Sequence, residues 1–320
     1  MKVLTIYPNC SRGGVTSVIR ARAIHSPDIE HHAVFLHDRG GLGSFKDLSN
    51  IRPRIVRPDR APAFLQSLCA QFDYTEIRVL SLPKIANTLS DDDKLGVTYE
   101  FHSSNMDVVA KELGELNLDR IAQFVVPSEE MRESIVPLLA KRLRRRVLVE
   151  PNLIDTTNFK PGSEGLSFRF NQTHGQIPLV WVGRFDKGKG IDYIPRVLNR
   201  LSDNYHAHIV VSLENDPERA GRFLYECDAM GVRSRVHLYM NLSPAELGDL
   251  YRSAALSGGY YLSTSLMESF GYAVREALAC GLSTVAFDLP VFHELAETET
   301  NDLSLVPIGD INGMCQMIRR

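Results

Sequence analysis

A chain of 320 residues with 36 Lys+Arg against 39 Asp+Glu and a formal net charge of −3 lacks the basic excess of a dedicated nucleic-acid binder. Its 44% hydrophobic content is ordinary for a globular protein, and its length suits two domains with a core each. No apolar run approaches the roughly 18 residues that span a bilayer, and the N-terminal MKVLTIYPNC lacks a signal peptide's apolar region and cleavage site. The five cysteines are scattered with no CxxC pair, so we expect reduced, mostly buried thiols in a cytoplasmic protein.

In chain order, Lys2 to Tyr7 reads as an apolar strand. A turn-rich loop ending in Gly13-Gly14 follows, then a helix with Val15, Val18, Ile19 and Ala23 inward. Strand, glycine loop and helix aim backbone N–H groups at an anion; a Gly-Gly pair also serves as a plain turn. Ala33 to His37 is a second strand, and 39–60 is irregular with a short strand near Ile55. Thr75 to Leu82 is a further strand, and Asp91 to Asp93 a solvated turn. Gly96 to His102 is a strand whose alternation puts Thr98, Glu100 and His102 on one face. A histidine at the carboxyl end of a parallel strand lies where open α/β sheets bind ligands, or it caps the next helix. Ile121 to Val126 leads to Ser128, a good N-cap followed by two glutamates. Its helix is expected to end in Lys141-Arg-Leu-Arg-Arg-Arg146, which is either a solvated face or a patch for an acidic acceptor or anionic lipid head groups.

VLVEPNLIDTTNFKP (147–161) closes a first domain, 1–161, with Asn152 and Asp155 as turn formers. Residues 162–176 read as a linker and 177–320 as a second domain. Ile177 to Val182 is a buried strand. Gly183-Arg-Phe-Asp-Lys-Gly-Lys-Gly190 follows; it is nearly a phosphate-binding P-loop, but Gly190 stands where Ser or Thr should hold magnesium. Strands and helices then alternate: strand His208–Leu213, helix Pro217–Met230, strand Val236–Tyr239, a helix opened by Ser243-Pro-Ala-Glu246, and strand Leu256–Ser263. Met267 to Gly281, MESFGYAVREALACG, is a loop feeding a helix that ends at Cys280-Gly281. Glu268 should precede that helix and Glu276 occupy its second turn, so both carboxylates can face one crevice. The strand Ser283–Phe287 and a helix from Ile311 complete the chain. The alternation in both halves argues an α/β protein with two parallel sheets.

Glu268-Ser-Phe-Gly271, seven residues between the glutamates, then Glu276-Ala-Leu-Ala-Cys-Gly281, resembles the signature of retaining glycosyltransferases of family 4. Gly183-Arg184, four residues, Lys189-Gly190 fits the same family, as does Pro151-Asn152 with Asp155. The resemblance implies a GT-B fold, two Rossmann-like parallel-sheet domains facing a cleft. It implies transfer of a sugar from a nucleotide-diphosphate donor to an acceptor with retention, without a metal or further cofactor. Arg184 and Lys189 would clamp the donor diphosphate, Glu268 and His102 would orient the sugar, and Glu276 would hold the ribose. Gly13, Gly14, Ser269, Phe270 and Gly271 would line the donor, with Arg12 near the phosphate. The physics of that clamp is direct, because fixed cations stabilise the charge that grows on a leaving diphosphate. The acceptor is a small molecule, glycan, lipid or protein, reached in the cytoplasm or, through 141–146, at the inner face of a membrane. Glu214-Asn-Asp-Pro217 and Asp288-Leu-Pro-Val-Phe292 replace glycine-rich turns of the family, and relatives usually continue past Arg320 with a crossover helix. A sugar-nucleotide epimerase, a phosphorylase and a non-catalytic nucleotide-sugar binder are the rival readings.

Overall fold

The computed structural model describes all residues except 91–95, 104, 164–165, 169, 171–174, 186, 212–216, 299–301 and 319–320. The Asp91–Asp93 turn and most of Glu214–Pro217 therefore lie outside the described residues. The chain divides into two compact units, Met1–Leu153 and Ile154–Arg320.

The first unit is built on a seven-stranded sheet. Its strands are β1 (Lys2–Ser11), β2 (Glu30–Arg39), β3 (Ile51–Ile55), β4 (Glu76–Leu80), β5 (Val97–Glu100), β6 (Gln123–Val126) and β7 (Val147–Val149). They run in the order β3-β2-β1-β4-β5-β6-β7 with every neighbouring pair parallel. Parallel strands are covered on both faces and read as continuous apolar runs. Here Leu4 and Ile6 fill one face with Val79, Tyr99 and Phe124, while Cys10, Ala33 and Phe35 pack on the other against Ile19 and Phe45. Strand order reverses between β1 and β4, so the loops after these strands flank the point where such sheets take ligands.

The second unit carries a six-stranded sheet, order β10-β9-β8-β11-β12-β13, again parallel throughout. Its strands are β8 (Ile177–Gly183), β9 (Tyr205–Val211), β10 (Val236–Met240), β11 (Tyr260–Ser263), β12 (Thr284–Phe287) and β13 (Leu303–Val306). Alternation sorts the two faces. Trp181, Ile209, Leu262 and Phe287 join one cluster, and Val180, Val210, Tyr261 and Ala286 the other. The reversal here falls between β8 and β11.

Several sequence expectations change. The first strand runs on through Pro8 to Ser11, where the sequence predicts a loop, and the strand predicted from Leu256 begins at Tyr260, because Leu256 ends the preceding helix. The helix begun at Ser128 stops at Ile135, and two short 3-10 turns replace its remainder, because Pro137 cannot donate the next helical hydrogen bond. The arginine run is then partly structural. Arg142, itself exposed, pairs with Asp119 at 2.9 Å and Arg146 donates to the Ile121 carbonyl at 2.8 Å, while Lys141 and Arg145 are exposed too. The units divide at Leu153/Ile154, ahead of Pro161. Phe159 is buried against Tyr251 of the Pro244–Leu256 helix, Arg252 donates to the Asn158 carbonyl at 2.8 Å, and the Ser167 amide donates to Asp249 at 2.8 Å. The five cysteines are free and all but Cys69 are buried. Among the described residues no helix is long and apolar enough to cross a membrane.

Candidate functional site

In the second unit the loops leaving β8 and β11 are laced together. The Leu266 amide donates to the Gly188 carbonyl at 2.8 Å, and Thr264 Oγ1 donates to the Lys189 carbonyl at 3.1 Å. Trp181 Nε1, from the buried face of β8, donates to the same Thr264 hydroxyl at 3.0 Å. Gly190 has φ +61°, and a Cβ there would stand 2.1 Å from the Thr264 carbonyl oxygen, so only glycine lets the loops close. The lacing brings two expected site residues into contact. Lys189 Nζ lies 2.5 Å from Glu268 Oε1, and Ser265 Oγ donates to that oxygen at 2.8 Å. Both charged side chains keep some exposure, 26% and 16%. Arg184 is exposed one residue past the end of β8, at the head of the same loop.

Glu276 follows on the helix Tyr272–Ala279, which starts from Gly271 in the left-handed region. A Cβ on Gly271 would meet the Phe292 ring at 2.3 Å. The helix buries Val274 and Ala277 as its periodicity predicts, and Glu276 with them. Burial, reinforced by Asp155, pushes the Glu276 carboxyl up to about 8. Glu268 and Glu276 share a neighbour in Tyr261 of β11, whose phenol is raised by burial and by both carboxylates. Phe270 is buried, with the Arg275 guanidinium 4.3 Å over its ring, and Ser269 is half-buried.

In the first unit Gly13, with extended backbone, precedes the helix Gly14–His25. Arg12 Nε lies 3.4 Å from the Gly40 carbonyl. His102 leaves the end of β5 with Nε2 3.0 Å from Glu100 Oε2. Strand alternation puts Glu100 on the histidine's face but assigns it no role. A single acid inside the apolar run VTYEF is the only signal the sequence offers for it. Thr264, Ser265 and Trp181 are the other residues that motif reading passes over, because they act through loop geometry and not through a spacing.

Residues 176–320 match the family Glycosyl transferases group 1. The chain is 33% identical over 143 residues to a subunit of human phosphatidylinositol N-acetylglucosaminyltransferase, covering 44% of this chain and 26% of that one. It is 26% identical over 145 residues to a probable sucrose-phosphate synthase of Thermosipho melanesiensis, covering 45% and 33%. The matched stretch thus spans a third or less of the curated relatives' length. Solved structures match over nearly the whole chain. HepE of Anabaena in complex with UDP and glucose superposes with a TM-score of 0.81 at 16% identity, covering 99% of this chain and 89% of that one. Sucrose-phosphate synthase of Thermosynechococcus elongatus gives 0.76 at 17%, covering 100% and 89%. At these identities the likeness is one of fold, and the fold is the GT-B fold that the group 1 motifs implied.

Proposed function

We propose that the protein is a glycosyltransferase that takes a sugar from a nucleotide-diphosphate donor, held chiefly by the group 1 segment, and passes it to an acceptor with retention of anomeric configuration. The observation that carries this reading is the laced pair of loops that seats Lys189 on Glu268 where strand order reverses between β8 and β11. Parallel α/β sheets bind ligands there. The pair offers a cation to a diphosphate and a carboxylate to sugar hydroxyls. Arg184, exposed at the head of the loop, is the second cation. As the glycosidic bond breaks, negative charge grows on the leaving diphosphate, and cations fixed beforehand stabilise it without reorganising. Glu276 accepts from the ribose and His102 from the sugar. The donor phosphate helps to deprotonate the acceptor, so the scheme asks for no nucleophile and no metal from the protein. HepE was solved with UDP-glucose, which makes a uridine donor the first to try. An acceptor at an anionic membrane surface would meet Lys141, Arg142 and Arg145, the three exposed basic residues of 141–146, of which Arg142 is paired with Asp119.

A thermal-shift panel of UDP-, GDP-, ADP- and dTDP-sugars tests the donor. A ligand at 100 times its dissociation constant should add about 2.7 kcal/mol of stability. Lys189→Ala and Arg184→Ala should each remove the winner's shift and lower turnover by about 10²–10³-fold. A full shift in both variants would refute the clamp. The anomeric configuration of the product, read by proton NMR, tests retention.

A further inference from the structure

The first unit buries a charge cluster that the donor scheme does not use. Glu100, at the end of β5, has no exposed surface. Its carboxylate takes four hydrogen bonds from three elements. Arg22, of the helix that begins at Gly14, donates Nη1 to Oε1 at 2.8 Å and Nη2 to Oε2 at 3.0 Å. Arg78 of β4 donates to Oε1 at 3.0 Å, and the ring of His102 approaches Oε2 at 3.0 Å. Two carboxylate oxygens offer about four lone-pair sites, so every site is filled.

We propose that Glu100 is the positioning residue for His102. One saturated carboxylate fixes the imidazole's orientation and its protonated nitrogen, and ties that imidazole to the helix that carries the Gly13-Gly14 loop. The inference rests on the reading in which His102 meets the donor sugar.

Three points support it. First, the carboxylate is ionised. Burial would raise its pKa, but Arg22 and His102 outweigh burial and hold it far below the usual carboxylate range. An ionised carboxylate only accepts, so His102 Nε2 must carry the hydrogen between them. The tautomer of the neutral ring is thereby set, with Nδ1 as the nitrogen turned away from Glu100. Second, the cluster is costly for a purely structural device. Buried ion clusters commonly match or fall below apolar packing in stability, so holding one here calls for a geometric role. Third, the cluster ties the segment carrying His102 to the last turn of the helix that follows the Gly13-Gly14 loop. Arg22 lies in the last turn of that helix, eight residues past Gly14, and His102 is two past the end of β5. Arg78 adds rigidity, because its Nη1 also meets Glu150 at 2.9 Å and its Nε meets Glu76 at 2.9 Å.

The test uses the whole chain. In nitrogen-15 ring spectra, with the His102 signals assigned by their loss in His102→Ala, the neutral ring should carry its proton on Nε2. In Glu100→Gln the two arginines claim the amide oxygen and the amide nitrogen faces the ring, so the proton should move to Nδ1. Slow release of UDP from UDP-glucose, or of the nucleotide from whichever sugar wins the thermal-shift panel, supplies the second readout. Glu100→Gln should lower kcat by about 10²-fold, the cost of a misplaced group, while KM for the donor changes less than threefold. In a His102→Ala background the same substitution should cost less than twofold, since a residue acting through another has nothing left to lose. If Glu100→Gln fails to fold, Glu100→Asp keeps the charge for both arginines while drawing back from the ring. It should lower kcat in the wild-type background and not in His102→Ala. A wild-type ring protonated on Nδ1, or a loss of the same size in both backgrounds, overturns the proposal alone. Undiminished turnover in His102→Ala overturns the sugar-contact reading and the proposal with it.

Discussion

Glu276 sits in the second turn of its helix at 6% exposure, and its carboxyl titrates near 8 because burial, then Asp155, disfavours the charge. The usual sign for a carboxylate is therefore reversed. Between pH 4.5, its unperturbed value, and about 8 the folded chain holds a proton that the unfolded chain has released. Stability from this group is complete below that window and falls as pH rises through it. Urea unfolding from pH 6.5 to 9, above the range in which the depressed histidines titrate, should show the fall, at most about 1.4 kcal/mol per pH unit, and Glu276→Gln should flatten it. Ribose hydroxyls donating to the charged form would pull the pKa down. Nucleotide binding near pH 7 should then release up to one proton, seen by calorimetry in buffers of different ionisation enthalpy. Equal slopes in wild type and variant, with no proton release, would remove Glu276 from the ribose site. Helical spacing gave both glutamates and their place around one short helix. It could not give the neutral state, because that depends on burial in the folded unit and on Asp155, which comes from another segment.

The β9–β10 edge carries a histidine ladder that no motif announced. His206 Nδ1 is 3.3 Å from His237 Nε2, His208 stacks on His237 at 4.8 Å, and His208 Nδ1 meets the Tyr239 hydroxyl at 3.0 Å. Phe170 closes over His208 at 4.6 Å. Burial, then His237 and His206, pushes His208 down to about 3, and burial also lowers the other two, with Arg235 and Arg233 adding repulsion. A depressed histidine contributes stability above its unfolded value of 6.5 and loses it as pH falls toward 3. Between pH 6.5 and 4 this group alone removes roughly 1–1.4 kcal/mol of unfolding free energy per unit, beside the depressed His31 and against the opposite contribution of Glu276 above pH 4.5. The unfolding free energy of wild type minus that of His208→Phe, which keeps the stack, should carry that slope in urea titrations. An unchanged slope in the variant would show that other groups set the acid limit. Period-two patterning found β9 and β10 because alternate positions pack on opposite faces. It missed β13, and it carried the Ser128 helix past Pro137 because basic residues suited a helix end.

At the scale of the whole chain, each unit contains its own sheet and the side chains that cover it. Ile154–Arg320 produced alone should therefore fold cooperatively. The boundary matters, because the matched family segment begins at 176, after the residues that seat on the Pro244–Leu256 helix. A fragment starting at Ile177 loses Phe159, 4% exposed, and the Ser167 bonds to Asp249. Deleting a buried phenylalanine typically costs about 3–5 kcal/mol, so the shorter fragment should melt earlier and expose apolar surface to a fluorescent dye. If the reading of the laced loops is right, the longer fragment should bind UDP with the shift expected of the whole chain, and Lys189→Ala should abolish it. It should turn over no UDP-glucose, because His102 and its Glu100 tether belong to the first unit. Turnover by the fragment would place the whole reaction within the second unit and leave His102 without a part in it.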